Sequence, residues 1–369
     1  MYELDTDRFW FDDAASQNRP FSTDKPQVPM QLRMTEECIW AELGLEPDPR
    51  YEFDEAFRLD LNRRYNEKAR AIVGRAQLSE EPRTSPELRL PPVRTVTELF
   101  GARVIWRDGI RWDIPTISSP EELERRLDEV EKIELDEFVF PPGWRDAYRR
   151  HLSALGWAPK LGGDVRGPVT AAMSVVGVEN CILWLYDAPS LMERFRDLLA
   201  EKIVEIDRLL RQATGASMRG FGVRDDNCAL LNPELYARFG LPMLQRIFAE
   251  FSPDPADRRY QHSDSEMSHL LPILAEAGLN GANFGPTVDP REIRRHLPRC
   301  VIYGQLPPFT FSRGTPEEIF AAVRRDIEWV GADGGLVLTT AGSVNAGSRL
   351  EGLRAVMAAI QKHGRYRPL

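Results

Sequence analysis

The chain predicts an α/β fold: a (β/α)8 TIM barrel with an irregular N-terminal extension and a β-hairpin insertion. Three observations carry this. Strand-length apolar runs alternate with helix-length runs through the second half. Several of those helices open on a capping residue followed by proline: Asn232-Pro233, Asp289-Pro290 and Thr315-Pro316, each with an acid in the first turn. The runner-up is an open doubly wound sheet, but no GxGxxG follows a strand and no GxxxxGK[ST] occurs, so its nucleotide-binding form lacks the phosphate loop.

The elements follow in order. Gln27 to Met34 reads as an early strand, and a helix from about Thr35 to Leu43 has Thr35 as N-cap and Gly44 as its stop. A second helix runs from about Phe53 to Val73. Residues 79–97, with four prolines, read as a surface connection. Asp108-Gly109 between Arg103–Trp106 and Ile110–Ile114 marks a hairpin, either a lid or a dimer arm. Helices are expected near 119–132, where Ser118 or Ser119 precedes Pro120, and near 143–155. From there the spacing gives strands at 158–164, 218–224, 258–263, 280–284, 300–305 and 335–340. Helices are expected at 189–213, 233–250, 266–277, 289–297, 315–330 and 350–363. One barrel domain therefore spans 1–369, with 1–155 as its N-terminal part and 156–369 as regular βα units.

Composition narrows the function. Of 369 residues, 42% are hydrophobic and 28% charged, enough for a full core. A net charge of −9 argues against a nucleic-acid partner held by phosphate contacts. No apolar run approaches the ~18 residues of a membrane span. The acidic start Met1-Tyr2-Glu3-Leu4-Asp5 lacks the order of a signal peptide. Cys38, Cys181, Cys228 and Cys300 stand far apart with no CxxC, so they read as buried small hydrophobes in a reducing cytoplasm.

In a barrel, chemistry collects where strands end at the C-terminal face. The sequence places there Arg33; Asp164 and Arg166; Arg224, Asp225, Asp226 and Asn227; His262 and Asp264; Asn283; Tyr303 and Gln305; Thr339 and Thr340. Adjacent carboxylates in an extended segment point opposite ways, so one of Asp225 and Asp226 faces the mouth and the other caps a helix or pairs with Arg224. His262 and Asp264, two apart, share a strand face. That spacing suits a metal pair, an acid/base pair, or an imidazole held in one tautomer by a carboxylate. His269 is expected outside the barrel, and His151, His296 and His363 on the surface. Gly304 to Phe311, with its double proline, reads as a stiff loop. Thr340 to Gly347 reads as a small-residue loop with exposed backbone N–H groups.

From Gly167 to the C-terminus the chain resembles the uroporphyrinogen decarboxylase superfamily, which includes zinc- and corrinoid-linked methyltransferases. The likeness rests on Gly167-Pro168-Val169-Thr170, Arg224-Asp225-Asp226 followed by Leu231-Asn232-Pro233-Glu234, the His262 segment, Gly304-Gln305 and the glycine loop at 341–347. It implies a barrel with its site at the C-terminal mouth. There are departures. Where the decarboxylases carry the motif RQAGR, Gln31-Leu32-Arg33-Met34 offers one arginine. The zinc methyltransferases carry His-x-Cys and a later Cys; this chain has His262-x-Asp264, and Gly342 stands near the later position.

The expected function is an enzyme on this barrel, most simply a methyltransferase served by a corrinoid-carrying partner. Its catalytic residues would be His262, Asp264 and Asp225. Substrate would be held by Arg33, Arg166, Arg224, Asp226, Asn227, Asn283, Tyr303, Gln305 and Thr340. Zinc, if used, would sit on His262 and Asp264. A cofactor-free decarboxylase of a tetrapyrrole-like or small organic acid is the alternative, and a non-catalytic binder of such an acid is the alternative of another class. A homodimer stays open.

Overall fold

The computed structural model describes residues 3–107 and 110–366. Two compact units emerge. The mid-chain unit is Thr84–His262 with His269–Leu279; the terminal unit is Met1–Arg83, Ser263–Ser268 and Asn280–Leu369.

The mid-chain unit opens with the hairpin. β1 (Arg103–Arg107) pairs antiparallel with β2 (Ile110–Ile114), setting Val104 opposite Asp113 and Trp106 opposite Arg111. The Asp108-Gly109 turn that the sequence marks lies outside the described residues. Ser119 caps the helix Pro120–Val130 by accepting from the Glu122 N–H at 3.3 Å. After Trp144–Leu155 come three parallel strands: β3 (Asp164–Arg166), β4 (Phe221–Arg224) and β5 (Arg259–Ser263). β3 falls later than the expected 158–164. Gly162 and Gly163 both hold positive φ, and the Asp207 carboxylate takes the Gly163 N–H at 2.7 Å, so the chain turns there first.

Helices Pro168–Val176 and Val178–Asp187 are absent from the sequence reading. The first is buried along its whole length and carries no polar face, so periodicity cannot reveal it. Pro189–Thr214 ends on Gly215, and Pro233–Phe251 is capped by Asn232, both where expected. Phe221 stacks on Phe251 with ring centroids 5.2 Å apart. Strand alternation therefore turns Phe221 and Val223 toward the helices, and Gly222 and Arg224 to the opposite face. His151, expected on the surface, is buried against Trp157. Its Nδ1 lies 2.7 Å from the Leu88 carbonyl, so that nitrogen carries the proton. His269 places Nε2 3.0 Å from the Leu231 carbonyl.

The terminal unit holds three more parallel strands, β6 (Gly281–Phe284), β7 (Val301–Tyr303) and β8 (Leu336–Val337). The expected strand Gln27–Met34 survives as single bridges, Met30 lying parallel to Leu338. Thr35 is not a cap: the helix starts at Cys38 and ends on left-handed Gly44. Asp54 splits the second helix, capping Glu55–Val73 after a turn at Arg50–Phe53. Pro308–Arg313 is helical where a loop is expected. The expected helix 266–277 shrinks to Leu271–Glu276, because Pro272 is tolerated only in a first turn. All four cysteines are buried, and none forms a disulfide among the described residues. Among the described residues, no single helix is long and apolar enough to cross a membrane.

Within the mid-chain unit, Arg211 is 2% exposed and pairs with Asp207, and its other nitrogens donate to the Ser217 and Gly220 carbonyls. Removing one partner of a buried pair strands the other charge. Asp207→Ala is expected to cost about 3–5 kcal/mol in urea unfolding. Glu201→Ala, at the half-exposed pair with Arg246, costs under about 1 kcal/mol.

Candidate active site

Parallel register lays Arg166, Arg224 and His262 side by side at the ends of β3, β4 and β5. Neighbouring strands are ~4.8 Å apart, so the three side chains form a row on one face. It is the face that carries Gly222, away from the helices. Gly222 has no side chain for a reason of space: a Cβ would meet the Asp164 carboxylate at 2.5 Å and the Arg258 guanidinium at 2.7 Å.

The two arginines are lightly held. Arg224 Nη2 lies 3.7 Å from Asp164, and that carboxylate is already paired with Arg258 at 2.9 Å. Arg166 Nε lies 3.5 Å from Asp113 of the hairpin. Their side chains are 59% and 41% exposed. Two guanidinium groups with long, shared ion pairs keep donor capacity for an anion.

Asp225 and Asp226 part as adjacent residues must. Asp225 turns inward, 1% exposed, and accepts from the Thr170 N–H and Thr170 Oγ1, both at 2.7 Å, and from the Val169 N–H at 3.3 Å. These donors form the first turn of helix Pro168–Val176, where backbone N–H groups lack helical acceptors. Gly167 permits the approach: a Cβ there would lie 2.1 Å from Asp225 Cβ. Burial still outweighs these bonds and pushes the Asp225 carboxyl up to about 6. The Asn227 N–H donates to Thr170 Oγ1 at 3.0 Å, closing the cluster. Asp226 is half-buried, and its carboxylate comes within 4.8 Å of a His262 ring nitrogen. An imidazole and a carboxylate within that separation can share a cation.

The remaining expected residues lie in the terminal unit. Asn283 donates to the Thr340 carbonyl at 3.0 Å and to the Tyr303 carbonyl. Gln305 Nε2 reaches the carbonyls of Phe284, Gly285 and Val288 at 3.1, 2.8 and 3.1 Å. Thr340 Oγ1 donates to the Gly342 carbonyl at 2.7 Å. Each of these three side chains thus donates to backbone carbonyls of its own unit. Tyr303 is half-buried. Arg33 is exposed, with Nη1 on the Leu32 carbonyl. Asp264 is exposed and stands against Gly342: a Cβ on that glycine would fall 2.3 Å from Asp264 Oδ1. Sequence reasoning missed Asp113 and the anchoring role of Thr170. A lone carboxylate in the apolar strand Ile110-Arg111-Trp112-Asp113-Ile114 was the available signal for the first.

Comparison with known proteins gives a consistent answer. The profile of the family described as Uroporphyrinogen decarboxylase (URO-D) matches residues 92–363. That range starts well before Gly167 and contains the hairpin. The chain is 28% identical over 271 residues to a methylated-thiol--coenzyme M methyltransferase of Methanosarcina mazei, covering 72% of this chain and 69% of that one. It is 27% identical over 183 residues to a uroporphyrinogen decarboxylase of Thioalkalivibrio sulfidiphilus, 49% of this chain and 51% of the relative. It is 25% identical over 211 residues to a methylcobamide:CoM methyltransferase of Methanosarcina barkeri, 56% of this chain and 58% of the relative. The chain thus spans little more than half the length of the latter two. A solved methyltransferase from Methanosarcina mazei superposes with a TM-score of 0.56 at 17% identity, covering 97% of this chain and 98% of the other. The fold class is the (β/α)8 barrel that the strand–helix alternation predicts.

The buried carboxyl of Asp225 makes stability depend on pH. Its folded value, about 6, lies above the unfolded value near 3.8, so folding takes up a proton between the two. The stability of the native chain relative to Asp225→Asn should therefore fall as pH rises from about 4 to about 6, by up to about 3 kcal/mol, and level off above. Urea midpoints of both proteins across that range measure it.

Proposed function

The chain belongs to the uroporphyrinogen decarboxylase family, and from that premise we propose that it is a methyltransferase acting on a thiol, with a corrinoid-carrying protein as its partner. The observation that carries this is the approach of Asp226 to His262 at the end of the arginine row. Two of the relatives are named as coenzyme M methyltransferases, and members of the family are enzymes.

The residues present fit a divalent metal such as zinc. Asp226 and His262 bring a carboxylate oxygen and a ring nitrogen within 4.8 Å, a donor pair that would hold such an ion. When bound there, zinc would act as a Lewis acid that keeps a thiol deprotonated near neutral pH. His262 would hold the ion through a ring nitrogen, with Asp226 as the second donor. Arg224 and Arg166 hold the anionic end of the thiol substrate and so orient its sulfur. Asp225, with no exposed oxygen, positions β4 through its hold on Thr170 and leaves the chemistry to Asp226.

The decarboxylase relative supports a second reading, and the same two arginines suit a carboxylate substrate. There the chain would release CO2 without a metal.

The test is direct. Purified protein loaded with zinc or cobalt(II) is expected to retain about one ion per chain by elemental analysis. His262→Ala should lose the ion and slow transfer from methylcobalamin to coenzyme M at least ~100-fold. Arg224→Ala should raise KM for coenzyme M far more than it lowers kcat. A native chain that retains no metal and leaves methylcobalamin unchanged sinks the methyl-transfer reading; CO2 release from uroporphyrinogen by that metal-free chain would establish the second. Ligand bound tightly but recovered unchanged would make the protein a binder.

A further inference from the structure

The hairpin touches the arginine row through one carboxylate, and this decides what the hairpin is for. Asp113 lies on β2 with a side chain only 3% exposed. It accepts from Arg111 Nε and Thr97 Oγ1, both at 3.1 Å, and faces Arg166 Nε at 3.5 Å. Arg111 is tied in turn to Thr95 at 2.8 Å and to Glu98 at 3.1 Å. The base of the hairpin is therefore fixed to its own unit by a closed polar network.

Strand pairing then places the tryptophans. Val104 opposes Asp113 and Trp106 opposes Arg111, so these four side chains share one face. Because Asp113 meets Arg166, that face is turned toward the arginine row. Trp106 sits two pairs nearer the tip, ~7 Å along the strand from Val104. It is 69% exposed. Trp112, 51% exposed, alternates to the other face. A dimer arm would gather its large apolar groups on one side, whereas here Trp106 shares a face with an arginine and an aspartate. An exposed indole on the hairpin face whose Asp113 meets Arg166 suits a substrate with a charged end and a flat apolar body.

We propose that the hairpin is a lid on the arginine row and that Trp106 is its specificity-determining residue, stacking on the apolar body of an anion held by Arg166 and Arg224. Asp113 is the positioning residue: it takes Nε of Arg166 and leaves the two terminal nitrogens for the ligand. The inference rests on the anion-anchor reading above, and its test separates the two.

Binding of acetate, benzoate and 2-naphthoate, which carry equal charge on growing ring surfaces, is measured by calorimetry. In the native chain each added ring should tighten binding about threefold to tenfold. Trp106→Ala should flatten that gradient while leaving acetate unchanged, and Trp106→Phe should restore most of it. Arg166→Ala should weaken all three ligands alike. Asp113→Asn should weaken all three and keep the gradient. An undiminished gradient in Trp106→Ala overturns the lid. Equal binding by the native chain and Arg166→Ala, or no binding of any of the three, overturns the anion anchor and the lid with it. Trp106 is exposed, so urea unfolding of its variants should match the native curve and exclude misfolding as the cause.

Discussion

Asp225 gives up water entirely for three donors at the start of helix Pro168–Val176. Burying a carboxylate is costly, and the bonds to Thr170 and Val169 only partly offset it, as its raised pKa shows. What the arrangement secures is position. The end of β4 is pinned to the turn that leaves β3, through a glycine that no other residue can replace without displacing the aspartate. The Gly167 N–H donates to the Arg224 carbonyl at 2.6 Å, and the Asp225 N–H to the His262 carbonyl at 2.9 Å. Three strand ends are thereby locked in register around one buried side chain, and Arg166, Arg224 and His262 inherit their alignment from it.

That constraint explains how much of the site could be read from sequence. Strand ends leave carbonyls without ladder partners, so a polar residue there has two possible employers, the backbone or a ligand. The residue types do not distinguish them. Asn283, Gln305 and Thr340 serve carbonyls in their own unit. Arg166, Arg224, Asp226 and His262 keep exposed or half-buried groups. Alternation did require Asp225 and Asp226 to face opposite ways. Which of them faces inward depends on Thr170, more than fifty residues earlier in the chain, and local pattern carries no trace of that contact.

The fold was legible where chemistry is local. Asn232, Asp289 and Thr315 cap their helices because a short polar side chain ahead of proline satisfies a first-turn N–H. The hairpin pairing follows from its β-branched and aromatic runs. Legibility failed where packing overrides periodicity. Ala171 to Val176 is buried on every side, so neither a 3.6 nor a 2.0 period stands out. Gln27 to Met34 looks like a full strand, yet only isolated positions bridge to their neighbours. Two glycines and a buried aspartate delay β3 beyond its apolar run.

The departures from the family pattern belong together physically. The two departures from the resembled pattern fall at Asp264, two residues after His262, and at Gly342. The structure sets those two residues against each other, with the aspartate occupying the space a side chain at 342 would need. Gly342 also holds a φ of 106°, a conformation open to glycine and strained for other residues. A carboxylate at 264 and a bare backbone at 342 are thus one spatial solution rather than two separate losses. Oxygen donors are harder than sulfur and discriminate less for zinc. If the chain holds a metal as proposed, Asp226 and His262 would bind it with oxygen and nitrogen donors and with little preference for zinc over other divalent ions.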